Sequence, residues 1–335
     1  MYMCKIILLI SFFAALFITY FMRAKLIPIL KRIKCAQTTK EIGPTWHEKK
    51  SGTPTMGGLM MIAGILAASI VGFVLLKFKI GKTANSLNLS MLLANLFMAL
   101  GFALIGFMDD YIKVIKKQNL GLRAREKFGL QFLVAIAYIL QISFLNGYSG
   151  ILWLPFCGQI DIGWVIYPVY LFIILGCVNA VNITDGLDGL ASGVTCVSAL
   201  GFLACAMMLG NWLGSVLAIS LAGGCIGFLF WNFYPAMVMM GDVGALFLGG
   251  MLVAIAFSLN LQVALAFFGI VYVLETLSVI IQMTYFHFTK KRIFKMSPIH
   301  HHFELSGYSE VQINIMMMIT QFVGCVLGVI SVAIK

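Results

Sequence analysis

The sequence predicts an all-α integral membrane protein with about ten transmembrane helices. Three observations predict this class: 61% of the 335 residues are hydrophobic, only 10% are charged, and the mean hydropathy is +1.00. An average soluble domain is about 25% charged, so the composition excludes an ordinary soluble protein. A bilayer core about 30 Å thick needs roughly 20 apolar residues for each helical crossing. The chain is long enough for about ten crossings with short loops.

Apolar runs of membrane-spanning length recur along the whole chain. Ten runs are found, at residues 6–22, 56–76, 89–108, 128–145, 163–181, 189–209, 212–231, 244–259, 263–285 and 313–334. The run at 244–259 is short enough to be a tilted or partial crossing. No internal repeat, low-complexity tract or soluble domain interrupts the series, so residues 1–335 are interpreted as one domain.

The first run is interpreted as a retained membrane helix. Residues 6–22 follow a lone Lys5, lack the small-residue cleavage site of a secretory signal, and precede a basic stretch at 23–34. The eight cysteines of the chain never form a CxxC pair, and most lie within apolar runs, where a thiol packs as a small hydrophobe. The sequence therefore predicts neither a disulfide framework nor a zinc site.

The distribution of Lys and Arg predicts the orientation. If the N-terminus is outside, three inward connections carry 18 of these residues and the outward side carries five. The positive-inside rule then places both termini outside. All five histidines and ten of the twelve acids then face the cytoplasm, the exceptions being Asp161 and Glu275. The net charge of +11 is thus explained by orientation, and nucleic acid is not expected as a partner.

Asp109 and Asp110 close the third apolar run. Carboxylates at a helix C-terminus oppose the helix dipole, and acids this close to the membrane are costly. Because neighbouring helical residues point about 100° apart, the two acids are expected to have two different roles rather than to share one ion. The alternative is a solvated helix stop.

Two short inward connections carry acids without any Lys or Arg. The first, 182–189, contains Asn182, Asp185 and Asp188 with glycines beside both acids, an arrangement that suits a nucleoside or phosphate. Its alternative interpretation is a capped turn. The second, 232–243, contains Asn232 and Asp242.

Asp242 opens the eighth run and has two interpretations. It could be the N-cap of that helix, or it could bind Mg²⁺, which is held by one or two carboxylates together with substrate phosphates and water. Several loop aspartates that converge would repel one another unless a cation lay among them. The sequence alone leaves both interpretations open.

Two further motifs contain polar groups suited to phosphates. Residues 50–58 place Lys50, Thr55 and several glycines at the start of the second run, but match neither a P-loop nor a dinucleotide-binding fingerprint. Residues 297–304 contain His300, His301 and His302. Three consecutive histidines cannot all face one ion on regular backbone, so phosphate binding, proton handling or an orienting role fits better than zinc. A polar loop is the alternative.

Glu275 lies within an apolar run and is a functional candidate for that reason, although it could simply bond to a neighbouring helix. Acidic loops with room for Mg²⁺, together with basic and glycine-rich loops and histidines on one face, suggest phosphoryl transfer at the membrane surface. A secondary transporter is the alternative from another class. It predicts Gly- or Pro-broken helices in an internal repeat and polar groups at mid-membrane, whereas nearly all acids of this sequence are predicted at one face.

At five ordered motifs, the sequence resembles the phospho-N-acetylmuramoyl-pentapeptide transferase family, within the superfamily that joins hexosamine phosphates to polyprenyl phosphate. The motifs are residues 50–58, 106–111, 182–189, 232–244 and 298–304. The last is the most specific, and the resemblance covers essentially the whole chain. It implies transfer of phospho-MurNAc-pentapeptide from UDP-MurNAc-pentapeptide to undecaprenyl phosphate, which gives lipid I and UMP.

The resemblance also implies roles for individual residues. Asp242 would bind Mg²⁺, Asp109 would lie nearest the lipid phosphate with Asp110 in support, and the three histidines would line the cleft. The implied substrate-binding residues are Lys50, Thr55, Lys117, Arg125, Asn182, Asp185, Asp188, Asn232 and Met239. Met239 stands where the family usually has an aromatic residue that can stack on uracil, and Arg125 where some relatives have Lys.

The resemblance further implies the inner membrane of a bacterium, an active site that faces the cytoplasm, and a homodimer as a possible assembly. A transferase that uses UDP-GlcNAc is the alternative within the same superfamily. The expected mechanism is direct attack by the lipid phosphate, because a phosphate monoester is already anionic at pH 7. A covalent aspartyl-phosphate route is the alternative.

Overall fold

A computed structural model describes residues 2–33, 52–80, 87–116, 120–147 and 149–334. Within these ranges, ten helices are long and apolar enough to cross a membrane, which confirms the predicted fold class. The helices are α1 (Tyr2–Arg32), α2 (Gly58–Ile80), α3 (Leu89–Lys116), α4 (Ala124–Asn146), α5 (Ile166–Thr184), α6 (Leu190–Met208), α7 (Trp212–Asn232), α8 (Gly241–Ser258), α9 (Leu265–Phe268), α10 (Ile270–Thr289), α11 (Ile299–Glu304) and α12 (Glu310–Ala333). The two short ones, α9 and α11, do not span.

Helix α8 lies at the centre of the bundle. It packs against α2, α3, α5 and α7, and its side chains are buried along nearly the whole length. Its 18 residues rise about 27 Å, close to the thickness of the bilayer core. The short eighth run is therefore a full-length helix that is shielded from lipid by its neighbours, which explains why it is apolar on every face.

Two helices differ from the apolar runs that predict them. Helix α1 continues past the first run to Arg32, so part of the basic stretch at 23–34 is helical. The run at 263–285 is divided between α9 and α10, because Gly269 leaves helical geometry, with φ −138° and ψ 30°. Hydropathy predicts neither boundary, because it measures how apolar the side chains are and not the direction of the backbone.

A small β-hairpin joins α4 to α5. Strands β1 (Ile151–Leu154) and β2 (Gly158–Asp161) pair antiparallel, with Ile151 opposite Asp161. The all-α prediction did not include this hairpin, although its turn-forming glycine and short apolar strand are visible in the sequence. It lies at the end of the bundle opposite to the acidic residues of α3 and α8.

Candidate active site

Three carboxylates from two helices converge where α3 ends and α8 begins. One oxygen each from Asp109, Asp110 and Asp242 lies within 4.8 Å of the others. Asp109 and Asp110 are buried, and Asp242 is half-buried. We call these three residues the acidic cluster. Among the described residues, this is where a group of acids is positioned to hold a metal ion.

Two interpretations of these acids are now settled. Helix α3 continues to Lys116 beyond the aspartate pair, and both carboxyl groups are buried, so the pair is not a solvated helix stop. Met240 occupies the N-cap position of α8, while the Asp242 side chain is directed at α3, α4 and α5. The N-cap interpretation of Asp242 is therefore wrong.

Glycines allow the helices to approach closely enough to form the cluster. A Cβ atom added to Gly106 of α3 would overlap the backbone of Asp242 and Val243, and one added to Gly58 of α2 would overlap Gly244. At these positions a larger residue would push α3 or α2 away from α8. Because glycine has no Cβ, the backbones can meet where the carboxylates converge.

Each carboxylate uses one of its oxygens to accept a hydrogen bond from an N–H group that fixes its orientation. These bonds run from Leu122 N–H to Asp109 Oδ1 at 2.9 Å, from Val243 N–H to Asp110 Oδ2 at 3.1 Å, and from Asn182 Nδ2 to Asp242 Oδ1 at 3.0 Å. Bonds to an anion from neutral donors are strong and directional. The second oxygen of each acid is consequently aimed at a common region.

The ammonium of Lys113 lies in that common region. Its Nζ is 2.5 Å from Asp109 Oδ2, 3.1 Å from Asp242 Oδ2 and 3.8 Å from Asp110 Oδ1. A second lysine, Lys127 of α4, lies 2.7 Å from Asp242 Oδ2. The positive charges oppose the repulsion that three neighbouring carboxylates would otherwise suffer.

The sequence pattern predicts no role in the site for either lysine, because a Lys in these connections indicates only orientation. The spacing of Lys113 four residues after Asp109 could have indicated an ion pair on one helix face. Lys127 carries no such signal, because α4 meets α8 only through the tertiary fold. Its Nζ also donates to Asn182 Oδ1 at 3.2 Å, which places Asn182 beside the acidic cluster.

The predicted loop at 182–189 is a tight connection between α5 and α6. Asp185 follows the last helical residue of α5 and is half-buried. Asp188 is buried, and its Oδ2 accepts a hydrogen bond from the backbone N–H of Ala236 at 3.0 Å. Its carbonyl accepts from Asn314 Nδ2 at 2.6 Å. Asp188 thus joins this loop to the loop before α8 and to α12.

Asn232 also connects these two loops. Its Oδ1 accepts from Gly189 N–H at 3.1 Å and from the Ser192 hydroxyl at 3.2 Å, while its Nδ2 donates to the carbonyl of Val238 at 3.0 Å. The side chain is buried. Through these bonds, the Asn232 side chain holds the loop before α8 against the connection before α6.

The remaining predicted substrate residues are distributed around this end of the bundle. A Cβ on Gly241 would lie 2.5 Å from Asp110 Oδ2 and 2.9 Å from Thr55 Oγ1, so Thr55 borders the acidic cluster. Met239 is half-buried, and its N–H donates to the carbonyl of Pro54 at 2.8 Å. Arg125 is exposed on the first turn of α4. Lys50 and Lys117 lie outside the described residues.

The three histidines of α11 have three different environments. His300 is buried and its Nδ1 lies 3.0 Å from Glu275 Oε2. His301 Nδ1 lies 2.7 Å from Glu304 Oε2. His302 Nδ1 accepts from the backbone N–H of Lys295 at 3.1 Å. As expected from their spacing, they do not converge on one point.

A separate cavity of about 480 Å³ lies at the opposite end of the bundle. Ser258 lines it at the end of α8, and the helix rises about 24 Å between Asp242 and Ser258. Its described lining includes amide, hydroxyl and aromatic side chains but no Lys, Arg, Asp or Glu. The described cations that could offset the charge of a phosphorylated ligand, Lys113 and Lys127, lie beside the acidic cluster and not in this cavity.

The described helices and the acidic cluster at one end define a polytopic membrane protein with a candidate metal site. Residues 91–260 match the family described as glycosyl transferase family 4, which places the chain among polytopic membrane transferases. This range includes all three acids of the cluster as well as Asn182 and Asn232.

The chain is similar to several transferases over most of its length. It is 44% identical to the phospho-N-acetylmuramoyl-pentapeptide-transferase of Heliobacterium modesticaldum, with 91% of each chain covered. Identity is 43% to the enzyme of that name from Desulforudis audaxviator, with 95% of each covered, and 39% to that from Bacillus subtilis, with 98% of each covered. The chain belongs to the phospho-N-acetylmuramoyl-pentapeptide transferase family, as its motifs predicted.

Proposed function

We propose that this protein transfers phospho-MurNAc-pentapeptide from UDP-MurNAc-pentapeptide to undecaprenyl phosphate, with lipid I and UMP as products. The observation that carries the proposal is the acidic cluster, in which three carboxylates and two lysines meet at one end of a membrane bundle. Phosphoryl transfer needs groups that position phosphates and offset their charge. Membership of the family supplies the donor and acceptor.

Mg²⁺ is the cofactor in this proposal, and the donor set fits it. Mg²⁺ prefers oxygen ligands and is held by one or two carboxylates plus phosphates and water. Asp242 would hold the ion, and one carboxylate oxygen each of Asp109 and Asp110 lies within 4.8 Å of an Asp242 oxygen. When bound, the ion would neutralise charge on the phosphates. The hydrogen bonds to one oxygen of each acid would hold the other carboxylate oxygen in place to serve as a ligand.

The reaction in this proposal is a direct displacement. An oxygen of the acceptor phosphate forms a bond to the sugar-linked phosphorus of the donor, and the bond from that phosphorus to the bridging oxygen breaks. The electron pair leaves with UMP. Because the acceptor is already an anion at pH 7, Asp109 positions it or removes its last proton, and Asp110 supports Asp109.

The other residues bind and orient the substrates in this proposal. Asn182 and Thr55 border the acidic cluster, and Asp185 lies in the adjacent connection, so these three would contact the nucleotide diphosphate. The ammonium groups of Lys113 and Lys127 now pair with carboxylates, and in the complex they would pair with the phosphates of the donor instead. Lys50, Lys117, Arg125 and Met239 complete the proposed substrate set, while His301 and His302 line the cleft. Asp188 and Asn232 would act mainly by holding the loops.

The proposed setting is the bacterial inner membrane, with the acidic cluster facing the cytoplasm, where soluble UDP-linked donors are available. The uneven distribution of Lys and Arg supports this orientation. A homodimer is part of the proposal as a possible assembly.

The test is UMP release by the purified protein in detergent. UDP-MurNAc-pentapeptide or UDP-GlcNAc is supplied with undecaprenyl phosphate, with and without Mg²⁺, and Asp242→Ala is the control variant. We expect release from the muramyl donor only, dependent on Mg²⁺ and lost in the variant. Release from UDP-GlcNAc would overturn the donor assignment, and no release from folded protein would overturn the proposed reaction.

A second experiment tests the direct route. The protein is incubated with donor alone, labelled in the sugar-linked phosphate, and then examined for label on Asp109 or Asp110. We expect no phosphorylated aspartate, because the acceptor oxygen is the nucleophile. Label trapped on either residue would replace direct displacement by a covalent intermediate.

A further inference from the structure

Glu275 is a buried acid within an otherwise apolar helix, and the acidic cluster does not use it. It lies on α10, where Leu274 and Leu277 are exposed on the outer surface of the bundle. The Glu275 side chain instead points inward and is fully buried. A carboxylate in such a position is costly unless it is paired, so its partner indicates what it does.

The partner of Glu275 is His300. Glu275 Oε2 lies 3.0 Å from His300 Nδ1 and accepts a longer contact, 3.5 Å, from the His300 backbone N–H. An ionised carboxylate has only acceptors, so the imidazole must donate its Nδ1–H. This bond fixes the tautomer and the ring orientation and leaves Nε2 as the second nitrogen, as in other carboxylate–histidine pairs.

The second nitrogen of His300 faces the connection at 182–189. A Cβ atom added to Gly186 would overlap His300 Nε2. Nε2 is buried and has no hydrogen-bond partner in the structure. A buried polar atom without a partner is costly, so its retention beside a proposed nucleotide-binding connection points to a ligand group that it meets during the reaction.

We propose that Glu275 is a positioning residue that acts through His300: it holds the imidazole with Nδ1–H bound and Nε2 directed at Gly186 and the connection at 182–189. The inference rests on the proposed function and extends it, because it assigns a role to a residue on the membrane side of the site. Glu275 does not touch the reacting phosphates. It determines which nitrogen of His300 is presented to them.

Two substitutions separate positioning from charge. In the wild type, the backbone N–H and the Nδ1–H of His300 both point to Glu275 Oε2. In Glu275→Gln, the carbonyl oxygen of the glutamine can replace Oε2 and keep the same tautomer of His300. In Glu275→Leu, His300 loses its acceptor. We expect Glu275→Gln to keep most of the wild-type kcat, and Glu275→Leu to lower kcat by ~10- to 100-fold with little change in the donor KM.

Gln321→Leu is the matched control. Gln321 is also fully buried, and its Oε1 accepts from the backbone N–H of Val271 in α10 at 3.2 Å. This variant removes a buried polar contact to the same helix without involving a histidine. A merely structural role for Glu275 predicts equal loss of thermal stability and equal loss of activity in Glu275→Leu and Gln321→Leu.

The distinguishing readout is the ¹⁵N spectrum of histidine-labelled protein, with His300→Gln used to assign the signal. We expect His300 protonated at Nδ1 in the wild type and in Glu275→Gln, and a mixture of tautomers in Glu275→Leu. An unchanged spectrum or an unchanged kcat in Glu275→Leu would overturn the proposal. The spectrum reports the tautomer of His300 without turnover. Failure of this inference can therefore be distinguished from failure of the proposed function, which is tested by UMP release from the wild type.

Discussion

Lys113 of α3 and Asp242 of α8 meet through a 3.1 Å contact between Nζ and Oδ2, although 129 positions separate them in the chain. The same ammonium faces Asp109 and Asp110. One side chain therefore supplies positive charge to all three carboxylates. The charge balance of the acidic cluster depends on α3, α4 and α8 together, since Lys127 of α4 adds the second cation.

Lys113→Met should make the protein more dependent on Mg²⁺ for stability. Without the ammonium, the repulsion among the three carboxylates is relieved mainly by a bound cation. Thermal unfolding is measured with and without Mg²⁺. We expect a larger increase of Tm with Mg²⁺ in Lys113→Met than in the wild type. Lys116→Met, an exposed lysine on the same helix, is the control; an equal response of all three proteins would contradict a metal site at the cluster.

Gly186→Ala should destabilise the protein, because the new methyl group would overlap His300. Overpacking of a filled site costs about 1–3 kcal/mol. Gly176→Ala on α5 is the control, since a Cβ there meets no atom within 4 Å. We expect a lower Tm and lower UMP release for Gly186→Ala only. Wild-type behaviour of Gly186→Ala would show that the connection can move away from His300 at little cost.

Asn232→Ala should lower the thermal stability of the substrate-free protein. The side chain makes three hydrogen bonds that join the connection before α6 and the first turn of α6 to the connection after α7, and its loss leaves buried groups unpaired. Each such group costs about 1–3 kcal/mol. The exposed Asn146→Ala is the control. If Asn232→Ala instead unfolds at the wild-type temperature and loses only donor binding, Asn232 is a substrate contact and not a brace.

The orientation can be measured through Cys157. This cysteine is exposed in the turn between β1 and β2, at the end of the bundle opposite to the acidic cluster. With the acidic cluster facing the cytoplasm, a membrane-impermeant thiol reagent should label Cys157 in intact cells in a Cys35→Ser background. Ser306→Cys, exposed at the acidic end in a Cys157→Ser background, should react only after permeabilisation. The opposite pattern would reverse the proposed orientation.

Much of the site could be predicted from sequence motifs. Asp109, Asp110, Asn182 and Asp242 were singled out as polar groups at the ends of apolar runs, and the structure brings these four together. Such residues are conspicuous because a membrane segment tolerates few charges. The spans were equally visible, since an apolar run of about 20 residues has few alternatives to a membrane helix.

Other features were decided only by tertiary structure. Asn232 and Asp188 are residue types that often bind ligands, yet their hydrogen bonds join the connection at 182–189 to the connection at 232–243. The boundary at Gly269 and the hairpin at 151–161 depend on local backbone geometry that hydropathy does not measure.

The sequence by itself determined the membrane class, the number of spans and the acids of the site, because the cost of burying charge and backbone in lipid acts on each segment separately. The tertiary structure alone decided that Lys113 and Lys127 meet the acidic cluster and that Glu275 meets His300. Those pairings depend on how the helices pack against one another. The close approach of α3 and α2 to α8 at Gly106 and Gly58 involves two helices each time, so it cannot be predicted from one segment alone.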